Sequence, residues 1–179
     1  MGAILVAVVA GAVLFGPLGC ASQKVDTANP ATRQMISLLM PTEIIVEPFT
    51  GLKSFDDADL PDGIEVVMRP VDAFGDPVKI AGVLMVELYQ FRPASGERKG
   101  RKIEQWDIEL ASTRDQCRYW NRVTQMYEIP LVLSPEALAL GSGGKFVVEV
   151  TYNTPLGEHM ITEYMFEPPL VTESGLTGR

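Results

Sequence analysis

The chain has 179 residues and a formal net charge of -8 at pH 7, from 15 basic and 23 acidic side chains. An acidic balance of this size argues against binding to a nucleic-acid backbone, which requires clustered Lys and Arg. The single histidine excludes a histidine-rich metal site, and we predict no cofactor.

The first residues of the chain have the layout of an export signal. An uncharged apolar run over residues 3–15 is shorter than the roughly twenty apolar residues that a membrane-spanning helix needs. The run leads into Leu18-Gly19-Cys20-Ala21, after which the sequence becomes polar. This segment resembles the signal of bacterial lipoproteins, in which a small residue precedes a cysteine that is lipidated and becomes the new N-terminus. The resemblance implies cleavage between Gly19 and Cys20 and lipid attachment to Cys20.

Two positions differ from the lipoprotein pattern. No Lys or Arg precedes the apolar run, and Pro17 stands where the family usually has Leu. The alternative is an ordinary signal peptidase site near Gly19, which would leave Cys20 as a thiol or a disulfide partner. Lipidation would place the mature chain in a bacterial cell envelope, anchored to a membrane and facing the periplasm or the exterior.

The segment that follows the lipoprotein motif is predicted to be a tether. Its residues are mostly polar up to residue 34, and such a composition cannot offset its ordering entropy by burial. Asn29-Pro30 is typical of a helix start, so we predict a short helix that ends before Pro41. The apolar residues assigned to that helix are Met35, Leu38 and Leu39.

From residue 43 onward, apolar and polar residues alternate with a period of two, which is typical of antiparallel sheets with one buried face. Five segments show this alternation, and residues 43–49 and 158–166 bring the number of predicted strands to about seven. Glu104 is assigned to the polar face. The residues assigned to the buried faces are Ile64, Val66, Met68, Leu84, Val86, Leu88, Trp106, Ile108, Leu110, Tyr127, Ile129, Leu131, Leu133, Phe146, Val148, Val150 and Tyr152.

Short strands separated by Asp-, Gly- and Pro-rich turns predict an all-β fold, an antiparallel β-sandwich, because two half-apolar sheets can bury each other's faces. One short helical turn is predicted at residues 134–141. Residues 64–79 resemble the strand-turn-strand openings of transthyretin-like and carboxypeptidase-regulatory-like sandwich modules, and an immunoglobulin-like sandwich fits the pattern equally well. The predicted division is a signal peptide at 1–19, the lipidated cysteine and tether at 20–42, the sandwich at 43–170 and a flexible tail at 171–179.

A basic cluster and two aromatic residues are predicted to lie on the surface. Arg98-Lys99-Gly100-Arg101-Lys102 follows a Gly-containing turn and is interpreted as a solvated hairpin tip, with contact to anionic headgroups or a polyanion as the alternative. Tyr89 and Phe91 fall on the face opposite the apolar residues of their strand. There they are candidates for binding a protein or a glycan, unless another segment covers them.

Cys117 and His159 are the two candidate catalytic residues. No histidine lies near Cys117 in the sequence, so an inert free cysteine is the favoured interpretation. His159 lies in the predicted last hairpin, where no motif converges on it, and a solvent-facing position is favoured there. We therefore predict that the protein is not an enzyme.

Two loops are rich in aspartate. Oxygen-rich loops at one end of a sandwich can hold Ca²⁺, a cation that takes six to eight oxygen ligands. The spacing does not match an EF-hand loop, and Asp is frequent in turns for local hydrogen-bonding reasons, so turn chemistry is favoured over calcium. The aspartates are Asp56, Asp57, Asp59 and Asp62 in the first loop and Asp72 and Asp76 in the second.

Together these features predict a lipid-anchored envelope protein that acts as a binding or structural module, with another envelope protein as its partner. The second hypothesis is an envelope enzyme or accessory subunit that uses Cys117 or His159. The third hypothesis is a calcium-dependent ligand-binding module.

Overall fold

The structure is a computed structural model that describes residues 28–56, 61–93, 96–140, 144–154 and 157–168. The predicted signal peptide, Cys20 and the predicted tail at 171–179 lie outside these ranges. The described elements are α1 (Pro30–Ser37), β1 (Glu43–Val46), β2 (Gly51–Lys53), β3 (Gly63–Val71), β4 (Val83–Phe91), β5 (Lys99–Glu109), α2 (Thr113–Tyr119), β6 (Trp120–Asn121), β7 (Met126–Val132), α3 (Pro135–Leu140), β8 (Phe146–Asn153) and β9 (His159–Phe166).

The strands form two antiparallel sheets that pack face to face. Sheet A has the order β1-β3-β7-β6, with β2 also paired to β3, and sheet B has the order β5-β4-β8-β9. This is the arrangement of strands ABED and C′CFG in immunoglobulin-type sandwiches. The predicted antiparallel β-sandwich is confirmed. The described chain has nine strands rather than about seven, because β2 and β6 are too short to show an alternation.

The core lies between the two sheets and consists of the residues that the alternation assigned to it. Of the seventeen predicted residues, all but Trp106 are buried. Tyr127, Tyr152 and Phe146 are the largest of the fully buried side chains. Trp106 is half-buried at the margin of the core, where its indole Nε1 donates a hydrogen bond to the Val132 carbonyl at 3.1 Å.

Glu104 does not lie on the polar face, so that assignment was wrong. It pairs with the buried Leu88, two positions along β5 from Trp106, and a period of two places both side chains on the same side of the strand. Its Oε2 atom accepts a hydrogen bond from the Ser134 backbone amide at 3.1 Å. Glu104 therefore holds the chain just before α3 against the edge of sheet B.

Local hydrogen bonds at the helix ends explain why the three described helices begin where they do. The Asn29 side chain accepts from the Ala31 amide at 2.9 Å ahead of Pro30, which confirms the predicted helix start. Ser134 caps α3 in the same way, within the predicted helical segment. Helix α2 was not predicted, and it begins with a reciprocal capping box between Ser112 and Asp115. No described helix has both the length and the apolar character needed to cross a bilayer.

Candidate functional site

A buried tyrosine fixes α2 to the sandwich. The Tyr127 hydroxyl accepts from the Ile80 amide at 3.0 Å and donates to Gln116 Oε1 at 2.7 Å. Gln116 Nε2 in turn donates to the carbonyls of Ile80 and Leu110, at 2.6 and 2.9 Å. Burial raises the pKa of Tyr127, so its hydroxyl remains a donor at neutral pH. The network therefore joins α2, strand β7 and the segment that crosses from sheet A to sheet B.

Four segments meet at one end of the sandwich, which we name the α1 end. They are α1 with residues 38–42, the turn at 72–76, α2, and the β6–β7 turn at 122–125. The Thr42 amide donates to the Val71 carbonyl at 2.8 Å, which brings the chain after α1 to the last residue of β3. The turn at 72–76 starts at the next residue. Lys79 Nζ lies 5.4 Å from the ring centre of Trp120, so the chain after that turn reaches β6.

The α1 end exposes large apolar side chains from three of these segments. Leu39 is 73 % exposed, Phe74 in the turn at 72–76 is 76 % exposed, and Val123 in the β6–β7 turn is 91 % exposed. Met35 and Leu38 are exposed as well, and α1 buries none of its residues. Isolated exposed apolar residues are normal on protein surfaces, but here they share one end of the molecule.

The same end carries exposed arginines. Arg114 and Arg118 are one helical turn apart on α2, and Arg122 follows in the β6–β7 turn. No ion pair among the described residues involves these three side chains. Two aspartates of the α1 end already have local roles. Asp115 completes the capping box of α2, and Asp72 accepts hydrogen bonds from two amides of its own turn.

Cys117 and His159 are not brought together. Cys117 is an exposed free cysteine on α2, next to β6 at one edge of sheet A. His159 opens β9, which lies beside β1 at the other edge, and its Nδ1 atom is 2.5 Å from Asn153 Oδ1. Three strand spacings of about 4.8 Å put the two edges roughly 14 Å apart. Within the part of the chain that the structure describes, no thiol and imidazole share a site.

The described aspartates of the two acidic loops also lie apart. Asp62 precedes β3 and Asp72 follows it, and a nine-residue strand separates them by roughly 30 Å. Asp62 Oδ1 accepts from the Phe55 amide at 2.7 Å, which is turn chemistry. Asp57 and Asp59 lie outside the described residues. Among the described residues, no group of three or more His, Cys, Asp or Glu side chains is placed to hold a metal ion.

The lysines of the basic cluster belong to strand β5 rather than to a hairpin tip, so the solvated-tip interpretation was wrong for them. Lys99 pairs with Glu149 and Glu163 at 2.5 and 3.1 Å, and Lys102 pairs with Glu87 at 2.9 Å. The hydrogen bond to Glu149 raises the pKa of Lys99 above its ordinary value. Burial raises the pKa of Glu87, but its hydrogen bonds from Lys102 and Tyr89 outweigh burial and leave that pKa lowered. These pairs cross-link the outer face of sheet B.

Comparison with known proteins gave no relative. No protein-family model, curated protein or solved structure matches the chain.

Tyr89 and Phe91 are half-buried on the outer face of sheet B, so neither is a fully exposed anchor. Lys99 Nζ lies 5.6 Å from the ring centre of Tyr89, within range of a cation–π contact. Burial, together with the hydrogen bond to Glu87, raises the pKa of Tyr89 to about 12. Lys99 of the neighbouring strand β5 thus partly covers the Tyr89 ring, and the sequence analysis did not predict this contact.

The arginines of the α1 end were also missed, although the sequence carries a signal for them. Arg114, Arg118 and Arg122 recur every four residues, and Ser112 with Asp115 marks a helix start just before them. Read together, these two patterns place two of the arginines on one helical face. What the sequence does not contain is the contact of Gln116 with Tyr127 and Ile80, which fixes the position of this helix.

Proposed function

We propose that the chain is a lipid-anchored module of a bacterial cell envelope, attached to a membrane through Cys20 and serving there as a binding or structural component. The observation that carries the proposal is Leu18-Gly19-Cys20-Ala21, which ends an apolar run and precedes a polar segment. A diacylglyceryl group with an N-acyl chain holds a protein firmly, because each buried methylene contributes about 0.8 kcal/mol and a single chain binds only marginally.

The start of the fold suits such an attachment. Nine residues separate Cys20 from Pro30, the first residue of α1, and they span at most about 30 Å when extended. The α1 end would then stay close to the lipid headgroups, while the far end of the sandwich, with the loop before β3 and helix α3, would point away from the membrane. A protein of the same envelope is the partner class that this placement implies.

A non-catalytic role is supported by the dispersal of the candidate catalytic groups. A nucleophile and its base must lie within hydrogen-bond reach of each other, at about 2.6–3.2 Å. Cys117 and His159 lie at opposite edges of the sandwich, and the contact made by His159 is with Asn153. Asp62 and Asp72 accept hydrogen bonds from backbone amides of their own loops and do not converge on a common point. Each of these groups thus has a local structural explanation.

Metabolic labelling with an alkyne fatty acid tests the anchor. The wild-type chain is expected to take up the label, whereas Cys20→Ser is expected to take up none and to accumulate as a larger precursor, because the acylated thiol is missing. Cys117→Ser is the matched control, since it removes the only other cysteine and should label like the wild type. Equal labelling of the wild type and Cys20→Ser, or no labelling of either, would reject the lipid anchor.

The same strains separate a binding module from an enzyme. In a strain that lacks the gene, Cys117→Ala and His159→Ala are expected to restore the wild-type phenotype in full, while Cys20→Ser is not. Loss of complementation by Cys117→Ala or His159→Ala, with normal protein levels, would favour the enzyme hypothesis instead.

A further inference from the structure

The exposed apolar residues of the α1 end belong to segments that the fold aligns at one level. Strand β1 begins opposite Val71, so the chain after α1 and the turn at 72–76 are neighbours. Val71 also bridges to Pro77, and Lys79 lies over Trp120, so the β6–β7 turn is adjacent on the other side. The tips of three separate segments thus lie side by side, across about three strand spacings or roughly 15 Å.

The charge of the α1 end is opposite to that of the chain. The segments of the α1 end together contain four arginines and three aspartates, a net charge of +1 (four minus three), in a chain of net charge -8. Of the three aspartates, Asp115 is held by Ser112 at the start of α2, and Asp72 accepts hydrogen bonds from two amides of its own turn. Arg114, Arg118 and Arg122 are exposed, the first two on α2 and the third in the β6–β7 turn that also carries Val123.

Cationic side chains interspersed with exposed apolar residues are the composition that binds the interface of an anionic bilayer. The apolar groups enter the boundary between headgroups and acyl chains, and the basic groups are attracted to the negative surface potential. A chain with this net charge would otherwise be repelled by such a surface. We propose that the α1 end is a docking surface for anionic phospholipid, through Leu39, Phe74 and Val123 together with Arg114, Arg118 and Arg122. This inference rests on the proposed anchor at Cys20, which would keep the surface within reach of the membrane.

Two exposed valines at opposite ends of sheet A allow a matched test. Val123 lies in the docking surface, and Val132 is at the end of β7, at the far end of the sheet. Each is changed to cysteine in a Cys117→Ser chain and labelled with an environment-sensitive fluorophore. The protein is placed in vesicles of phosphatidylcholine and phosphatidylglycerol, 3:1, that contain nitroxide-bearing lipids.

Docking predicts that the fluorophore is quenched at Val123→Cys and not at Val132→Cys. The quenching should fall at least fivefold in vesicles of phosphatidylcholine alone or at high salt, because attraction of each basic residue to an anionic surface contributes about fivefold. The variant R118Q/R122Q should also lose the quenching at Val123→Cys. R98Q/R101Q is the control, since it removes the same charge from two exposed arginines at the other end of the sandwich and should leave quenching unchanged.

Equal quenching at the two valine positions, or equal loss in the two double-arginine variants, would overturn the docking surface. Failure of the anchor is seen separately, because the Cys117→Ser parent would then take up the fluorophore at an unmodified Cys20. In that case the comparison of the two positions is repeated with Cys20→Ser protein added to preformed vesicles. Quenching at Val123→Cys alone would still support docking, and its absence would reject it.

Discussion

Phe146→Ala is expected to lower the free energy of unfolding by about 3–5 kcal/mol, because it removes a large buried aromatic side chain and leaves a cavity. Phe146 is 2 % exposed at the start of β8, a central strand of sheet B. Its ring centre lies 5.5 Å from that of Phe166 on β9, so both strands lose packing at once. Urea unfolding at pH 7 measures the effect, as a shift in midpoint with unchanged slope.

Val132→Ala is the matched control for that change. Val132 also lies on a central strand, but its side chain is 60 % exposed and the substitution should cost less than about 1 kcal/mol. Trp106→Ala should fall between the two, since Trp106 is half-buried. Equal destabilisation by Phe146→Ala and Val132→Ala would show that the assigned faces of the strands are wrong.

Gly63→Ala is expected to destabilise the fold by about 3 kcal/mol through overpacking, at the upper end of the range for such changes. A β-carbon at this first residue of β3 would overlap the carbonyl oxygen of Leu131 on β7 and lie 2.6 Å from Phe55 Cε2. Backbone atoms of a paired strand cannot move without breaking the ladder. The measurement is again the urea midpoint, supported by the loss of near-ultraviolet circular dichroism.

Gly51→Ala tests whether this cost comes from the clash or from loss of glycine itself. Gly51 also lies in a strand paired with β3, and a β-carbon there meets nothing closer than Phe166 Cδ2 at 4.0 Å. Alanine in open space restricts the unfolded chain and should be neutral or stabilising by up to about 1 kcal/mol. A loss of stability in Gly51→Ala as large as that in Gly63→Ala would contradict the explanation by steric overlap.

The sequence predicts the regular part of the fold well, because burial on one face imposes a period of two on each long strand. The alternation in β3, from Ile64 to Met68, matches the buried positions of that strand, and Asn29-Pro30 marks the start of α1 through a local hydrogen bond. Such features depend on residues close in the chain, which is why they can be recognised without the structure.

Features that depend on distant residues escaped the sequence analysis. Two short strands, β1 and β2, pair with the same side of β3 in place of one long strand. The pairing is interrupted between them because the Thr50 hydroxyl accepts from the Val67 amide and donates to the Val67 carbonyl. Nothing near Thr50 in the sequence indicates this partner. Likewise, the position of α2 depends on Tyr127 and Gln116, which meet only after the chain has crossed between sheets.

The candidate functional residues show the same difference between what nearby residues determine and what distant residues determine. Sequence reasoning singled out Cys117, His159 and the aspartates by residue type, and the structure gives each of the described ones a local environment of its own. Proximity between chemical groups is a property of topology, so residue type alone could not predict it. β-Sandwiches host many unrelated functions, so the functional account depends on the proposed lipid anchor.

The mass of the N-terminal tryptic peptide tests that account most directly. If Cys20 is the lipidated first residue, digestion of the membrane-extracted protein yields Cys20–Lys24 with a diacylglyceryl group on the thiol and an acyl group on the new amino terminus. Mild base should then remove the ester-linked chains and shift the mass accordingly. The account is contradicted if Cys20 is found with a free thiol, or within a peptide that continues into the residues before it.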